Sequence, residues 1–263
     1  MADNENHDTI DALQWEKRKF PPSDAFKKNT LVAGTFLYDE ANEDYEAFWA
    51  RQASELVSWD TEWDTICEWN LPYSKWFVGG QLNVSYNCLD RHVLAGNGDR
   101  KAILWEGEPG DTRTITYSDL LEEVKKFANV LKGLGLEKGD RVAIYMPMIP
   151  ELPVAMLACT RIGVAHSVIF GGFSPDSIID RVHDGECKVI ITADGGWRRG
   201  KVIELKANVD KALEGTPSVQ SVIVVKRCGN PINMVEGRDV WWKDAWFGAP
   251  NTHKAKAFDA EHP

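Results

Sequence analysis

Apolar residues between about residue 101 and residue 225 recur in two alternating patterns, short continuous runs and longer stretches with helical spacing. The runs are typical of buried strands, and the stretches are typical of amphipathic helices. The predicted strands span residues 141–146, 164–170, 189–192 and 221–225. The predicted helices span residues 118–134, 151–162 and 174–184. Repeated strand–loop–helix units predict an α/β fold with a mostly parallel β-sheet, right-handed crossovers and helices on both faces.

Local residue chemistry marks the ends of several helices. Ser118 and Ser174 are predicted N-caps, and Pro175 suits the first helical position. A fourth helix is expected after the glycine-rich turn at residues 194–196 and the loop that follows it. Its predicted buried face carries Val202, Leu205, Val209 and Leu213.

The amino-terminal region has a different character. Residues 1–90 are irregular and aromatic, with a short amphipathic helix predicted at Tyr45–Leu56 and a turn at residues 69–73. Six of the 11 tryptophans lie at or before Trp76. This concentration favours an aromatic-rich cap packed on a larger body, and a stacking platform for sugars or bases is the alternative.

A change of pattern near residue 100 marks a boundary. The turn GEPGD at residues 107–111 predicts a hairpin that joins residues 102–105 to residues 112–117. The chain is therefore divided into a cap region, residues 1–95, and a second region, residues 96–263. The final segment, Asn251–Pro263, is polar and is expected to close no element.

Composition excludes several classes of protein. With 263 residues, 43% hydrophobic and 27% charged, the chain can bury a sizeable core, which argues against disorder. No apolar run is long enough to cross a membrane, and the first residues are polar and acidic, so neither a membrane span nor a secretory signal is expected. The net charge of −10 disfavours nucleic acid as a partner. Five cysteines without a CxxC pair predict reduced thiols and a cytoplasmic location.

Residues 195–202 (GGWRRGKV) form the loop with the most distinctive chemistry. The spacing resembles a nucleotide phosphate loop, but Val202 stands where such a loop needs a hydroxyl for Mg²⁺. As the predicted start of a helix, the loop would offer free amides, and Arg198, Arg199 and Lys201 would add three cations. A phosphate-anchoring site and a solvated basic turn both remain open on this basis.

A second loop, FGGFSP at residues 170–175, follows the second predicted strand. Gly171 and Gly172 allow a close approach of the backbone, which suits either a structural turn or a ligand-proximal one. Ligands of parallel sheets bind beyond the carboxyl ends of the strands, so this loop and residues 193–201 are the candidate binding loops.

The sequence predicts no catalytic residue and no metal site. The six histidines share no ligand spacing, and there is no GxSxG turn that would present a nucleophilic serine. From the residues alone, the chain is an α/β ligand-binding unit with one basic loop.

The order of several motifs resembles that of a known enzyme family. TITYSDL at residues 114–120 and LACTRIGVAH at residues 157–166 resemble the first two core motifs of the adenylate-forming superfamily. A narrower set resembles AMP-forming acetyl-CoA synthetases (acetate–CoA ligases) and their propionate-using relatives. This set comprises SVIFGGFSPD at residues 167–176, ITADG at 191–195 and EGRDVWW at 236–242. The likeness covers roughly residues 30–263.

The resemblance implies an identity for the second region and a two-step reaction. Residues 96–263 would be the first part of the AMP-binding (adenylation) domain, which belongs to the large N-terminal domain of adenylate-forming enzymes. In the reaction of the family, acetate and ATP form acetyl-AMP and pyrophosphate, and CoA then displaces AMP. CoA, acetate and ATP are the implied small-molecule substrates, and Mg²⁺ is implied for the full enzyme.

The resemblance also implies roles for the two loops. In the family, the loop that matches Arg198, Arg199 and Gly200 with Lys201 binds CoA near its 3′-phosphate. The turn at Gly171-Gly172 would lie beside the CoA path.

The resemblance further implies a fragment. The ATP-gripping loop of the family, of the form YTSGTTGKPKG, is expected just beyond Pro263. The chain would then be the N-terminal part of the ligase, inactive alone. Three alternatives stay open: a stand-alone CoA- or nucleotide-binding module, one half of a split synthetase completed by a separate C-terminal polypeptide, and a degenerate fragment that does not fold stably alone.

Overall fold

A computed structural model describes residues 18–263. The chain divides into two compact units, Met1–Trp49 and Ala50–Pro263. The described part of the first unit contains α1 (Asp24–Lys28) and α2 (Phe36–Glu43), and α3 (Tyr45–Leu56) crosses the boundary along the chain. The last of these helices has the predicted bounds.

The second unit contains the remaining elements. The strands in chain order are β1 (Thr65–Asn70), β2 (Tyr73–Val78), β3 (Gln81–Leu82), β4 (Lys101–Glu106), β5 (Thr112–Thr116), β6 (Arg141–Met146), β7 (Ala165–Phe170), β8 (Val189–Ala193), β9 (Gly196–Arg198), β10 (Lys201–Ile203), β11 (Ser221–Val225), β12 (Asp239–Trp241) and β13 (Phe258–Asp259). The helices are α4 (Tyr117–Gly133), α5 (Glu151–Ile162), α6 (Pro175–Gly185), α7 (Leu205–Leu213) and α8 (Trp242–Phe247). Two π-helical turns, Tyr86–Asp90 and Val93–Asn97, precede β4.

A five-stranded sheet with the order β12-β11-β8-β6-β7 forms the centre of this unit, and all of its neighbouring strands are parallel. The predicted parallel sheet is confirmed. Every residue of β8 is buried, as expected for an inner strand with helices on both faces.

Helices cover the sheet in two layers. The chain steps from β6 to β7 in one direction and from β7 back past β6 to β8 in the other. Because crossovers are right-handed, α5 and α6 must lie on opposite faces. The helix α4 packs beside α5, and α7 packs beside α6. Phe127 of α4 stacks on Trp242 with 3.8 Å between ring centroids.

Helix caps agree with the sequence at one predicted position and differ at another. Ser174 caps α6 with Pro175 in its first turn, as predicted. The cap of α4 is Thr116 and not Ser118: the Thr116 hydroxyl accepts from the amide of Asp119, whose carboxylate accepts from the amide of Thr116. This reciprocal capping box satisfies two amides, whereas a cap at Ser118 would satisfy one.

The predicted helix from Val202 is wrong. Residues 196–203 form the antiparallel hairpin β9–β10, in which Val202 pairs with Trp197, and α7 begins only at Leu205. Arg199 (φ 52°) and Gly200 (φ 73°) both take left-handed conformations in the two-residue turn. This is the geometry that matches the twist of a tight hairpin.

Two other expectations meet different outcomes. The hairpin predicted around GEPGD is confirmed, because β4 and β5 pair in an antiparallel ladder. The expectation that the final segment closes no element is wrong, because β13 pairs with β3. Pairing between strands so far apart in the chain cannot be seen from local periodicity.

Aromatic side chains between residues 59 and 77 pack on one another. Trp59, Trp63 and Phe77 form a cluster with ring centroids 4.9 to 5.4 Å apart, in mostly edge-to-face geometry. Such pairs add stability beyond the area that they bury. The prediction was an aromatic-rich cap with a structural role, and the packing of these rings on one another suits a structural role. Within residues 18–263, no helix combines the length and the apolar character that a membrane crossing requires.

Candidate functional site

A cavity of about 500 Å³ lies at the carboxyl ends of the parallel strands. Its lining comes from the ends of β6 and β7 and the residues after them, the hairpin β4–β5, the hairpin β9–β10 with the start of α7, and the segment after β11. Its lining includes Met146, Phe170, Gly172, Arg198 and Arg227. The strand order reverses its direction at β6, so the cavity lies at the switch point where parallel sheets bind ligands.

The structure brings the two predicted loops together at this cavity. The guanidinium carbon of Arg198 lies 4.9 Å from the centroid of the Phe170 ring, in a cation–π contact. A methyl group added to Gly172 would overlap the same guanidinium. Gly171, Gly172 and Arg198 all line the cavity. The sequence-predicted proximity of the two loops is therefore observed.

The rest of the basic turn lies outside the cavity lining. Arg199, Gly200 and Lys201 are exposed at the tip of the hairpin. Because no helix starts here, the free amides and partial charge expected of a helix N-terminus are not available to this loop. The amide of Gly200 donates instead to the carboxylate of Glu108, which also lines the cavity. Any attraction for anions at this turn comes from the cationic side chains.

Close approach of the backbone explains Gly171, the first glycine of the second loop. A methyl group on Gly171 would sit 3.2 Å from the carbonyl oxygen of Met146, which is tighter than ordinary contact. The hydroxyl of Tyr145 reaches the same turn and donates to the carbonyl of Phe173 at 2.9 Å. The turn is thus held against the end of β6 from beneath.

Arg227 is a cavity residue that the sequence reasoning missed. It makes two hydrogen bonds of 2.6 and 2.9 Å to Asp111, and its guanidinium carbon lies 4.9 Å from the Trp105 ring centroid. Hydrogen bonds from Arg227 hold the pKa of Asp111 below its usual range. The available signal was position, because Arg227 comes shortly after the end of a predicted strand.

Asp194 was also missed as a positioning residue. Its buried carboxylate accepts hydrogen bonds from the amides of Gly195, Arg227, Cys228 and Gly229, at 2.7 to 2.9 Å. One side chain therefore connects the end of β8 to the segment after β11. This contact fixes the backbone from which Arg227 reaches into the cavity.

A smaller cavity of about 360 Å³ adjoins the first and shares Trp105, Ile149 and Arg227 with it. Its lining is mixed in charge, with Arg113 paired to Glu151 at 2.6 Å. In the part of the chain that the structure describes, no group of three or more His, Cys, Asp or Glu side chains is placed to hold a metal ion. In the larger cavity, the rings of Trp105 and Phe170 together with the guanidinium of Arg198 suit a ligand that has a flat ring and an anionic group.

Two family models match the chain. The AMP-binding enzyme model matches residues 90–263, and the model of the acetyl-coenzyme A synthetase N-terminus matches residues 36–88. The chain belongs to the AMP-binding enzyme family. The resemblance inferred from the sequence motifs is confirmed by this match.

Curated members of the family include relatives with more than half of their aligned residues identical. Acetyl-coenzyme A synthetase of Rubrobacter xylanophilus is 55% identical over 93% of this chain. The enzyme of the same name from Streptomyces avermitilis is 52% identical over 98% of this chain. The chain spans only 38% and 39% of the lengths of these two relatives. It therefore corresponds to the N-terminal part of acetyl-CoA synthetases.

A solved structure supports the fold. Acetoacetyl-CoA synthetase from Streptomyces lividans matches 91% of this chain and 37% of its own, with a TM-score of 0.78. At 23% sequence identity, this likeness concerns the fold alone. The predicted α/β architecture with a helix-flanked parallel sheet is confirmed.

Proposed function

We propose that this chain is the N-terminal part of an AMP-forming acetate–CoA ligase and carries part of its CoA-binding site. The reaction of the complete ligase would convert acetate, ATP and CoA to acetyl-CoA, AMP and pyrophosphate. Support comes from identity of 50–55% to proteins named acetyl-coenzyme A synthetase over nearly the whole chain. The observation that carries the binding role is the position of Arg198 at a cavity that the Gly171-Gly172 turn also lines.

The basic turn would bind the 3′-phosphate of CoA. Arg198 and Lys201 flank the turn and are exposed, with Arg199 and Gly200 between them. An arginine can give two parallel hydrogen bonds to phosphate oxygens, whereas a lysine supplies a point charge. Gly171 and Gly172 would let the ligand pass close to the backbone beside Phe170. We propose the four residues of the basic turn as CoA-binding and the two glycines as lying beside the CoA path.

The remaining substrates would be bound mainly by the rest of the ligase. We propose that residues 1–95 act as a cap region and that residues 96–263 form the first part of the adenylation domain. ATP with its Mg²⁺ would be held outside this chain, and no residue here is proposed as its ligand. We further propose a cytoplasmic location, for which five cysteines without a CxxC pair are the support, and completion by a C-terminal polypeptide.

Calorimetry with CoA and with dephospho-CoA tests the binding role. A hydrogen bond to a charged group contributes about 1.5–3 kcal/mol to the binding free energy, and an exposed one contributes less. We therefore expect CoA to bind about 10-fold more tightly than dephospho-CoA. Arg198→Met should abolish this preference. Lys211→Met is the matched control, because Lys211 is exposed in the last turn of α7 and does not line the cavity. Equal affinity of the two ligands would contradict the proposal.

An activity assay separates the ligase fragment from a complete enzyme. The chain alone should form no acetyl-CoA from acetate, ATP and CoA, because the described residues hold no identified catalytic group. Turnover by the chain alone would overturn the fragment proposal. A stand-alone binding module would bind CoA as tightly but would gain no activity from the remaining part of a closely related synthetase added as a second polypeptide.

A further inference from the structure

The hydroxyl of Tyr145 joins three elements beneath the cavity. Tyr145 lies in β6, the strand at which the strand order of the sheet reverses, and its side chain is buried. The hydroxyl oxygen is 2.9 Å from the carbonyl oxygen of Phe173 and 3.3 Å from that of Gly171. The side-chain nitrogen of Asn208, in α7, is 3.2 Å from the same hydroxyl.

The proton on the Tyr145 hydroxyl decides which of its hydrogen bonds it donates and which it accepts. Burial raises the pKa of Tyr145, so the hydroxyl keeps its proton at neutral pH. It can donate to one carbonyl at a time, and the shorter distance favours Phe173. It accepts from the amide group of Asn208. The result is a directed chain of hydrogen bonds from α7 through β6 to the turn.

The turn needs an external support of this kind. Gly171 and Gly172 have no side chains with which to anchor it, and glycine loses more conformational freedom on ordering than other residues do. The backbone must nevertheless stay close to the carbonyl of Met146 and to the guanidinium of Arg198. A small displacement of the turn would therefore change the shape of the cavity beside Arg198.

We infer that Tyr145, held by Asn208, is a positioning residue that sets the Gly171-Gly172 turn for binding at the cavity. The inference rests on the proposed function in taking CoA as the occupant of that cavity. Tyr145 does not line the cavity, so it acts through the turn and not by touching the ligand. The inference rests on the contacts of the buried Tyr145 hydroxyl with Phe173 in the turn and with Asn208 in α7.

Two variants that each remove one buried hydroxyl test the role. Tyr145→Phe removes the contact with the turn. Thr192→Val is the matched control, because the Thr192 hydroxyl is buried and donates to the main-chain carbonyl of Tyr145 at 2.7 Å without reaching the turn. Both variants should lower the melting temperature by similar amounts.

The two variants should differ in ligand binding. Measured by calorimetry below both melting temperatures, CoA should bind Tyr145→Phe about 5-fold more weakly than the parent chain, and Thr192→Val within about 2-fold of it. Asn208→Ala should give a smaller loss and carries the test if Tyr145→Phe does not fold. Equal affinity of the parent chain, Tyr145→Phe and Thr192→Val, or equal weakening by both hydroxyl deletions, would overturn the inference.

If the parent chain binds no CoA, that result contradicts only the proposed function. Amide hydrogen exchange then still tests the positioning role of Tyr145. The amide of Phe173 donates to the carbonyl of Phe170 at 3.0 Å within the turn. We expect its exchange to accelerate at least several-fold in Tyr145→Phe and to stay unchanged in Thr192→Val. Unchanged exchange at Phe173 in Tyr145→Phe would refute the positioning role.

Discussion

Replacing Asp194 by asparagine should destabilise the unit that contains the cavity. The Asp194 carboxylate has no exposed surface, and its Oδ1 accepts from the amides of Gly195, Arg227 and Cys228 while its Oδ2 accepts from that of Gly229. In Asp194→Asn one oxygen still accepts, but the new NH₂ group faces the amide of Gly229. Two donors then point at each other in a buried place.

The expected loss follows from these contacts. The variant loses one charge-assisted hydrogen bond and leaves the amide of Gly229 unsatisfied, at about 1–3 kcal/mol for each effect. The other three bonds weaken because a neutral acceptor replaces a charged one. A total of about 3–4 kcal/mol results, which corresponds to a fall of roughly 10 °C in Tm for a domain of about 200 residues.

Urea unfolding of the parent chain and of the variant at pH 7 measures this loss. Asp180→Asn is the matched control, because Asp180 is exposed on α6 and the same charge is removed there. The control should stay within about 0.5 kcal/mol of the parent. If Asp194→Asn cost less than about 1 kcal/mol, the four amide contacts would not have the importance assigned to them.

Two further predictions concern the cavity and the effect of pH. Gly172→Ala should leave the unfolding free energy within about 1 kcal/mol, because the guanidinium of Arg198 and the exposed ring of Phe170 can both move away from the added methyl group. Calorimetry should nevertheless show weaker CoA binding, and unchanged binding would contradict the prediction. Burial, followed by neighbouring cations, lowers the pKa of His253 to about 4, so between pH 6.5 and 4 the unfolded chain takes up a proton that the folded chain refuses. Stability should therefore fall as the pH is lowered through this range, by about 2 kcal/mol once solvent screening of the half-buried ring is allowed for. Urea unfolding at pH 7 and pH 5 should show that His253→Leu loses less unfolding free energy on acidification than the parent chain does. Some loss should remain in the variant because burial also lowers the pKa of His166. An identical loss in the parent chain and the variant would count against His253 as the source of the pH dependence.

Much of the architecture could be predicted because it depends on local pattern. Arg141–Met146, Glu151–Ile162 and Ser221–Val225 were predicted with the bounds that the structure has. Buried strands of a parallel sheet are continuous apolar runs, and a helix packed on one face repeats every three or four residues. Both patterns can be read from residues that are neighbours in the chain.

The error at residues 202–213 shows where this reasoning fails. Val202 and Leu205 have a spacing that suits one helical face, yet only Leu205 belongs to α7. The hairpin requires left-handed backbone at Arg199, a non-glycine residue, and the sequence alone gives little indication of that. The charges of the basic turn could therefore be seen in the sequence, but the turn was placed on the wrong element.

By itself, the sequence determined the parallel sheet, the helices that cover it and the two loops that meet at its carboxyl edge. Only the tertiary structure decided how that edge is held together. Asp194, at the end of β8, accepts from amides in the segment after β11, and Tyr145 of β6 supports the turn that follows β7. Side-chain to backbone contacts between such distant parts of the chain leave no periodic pattern, because they depend on which strand ends the fold brings together.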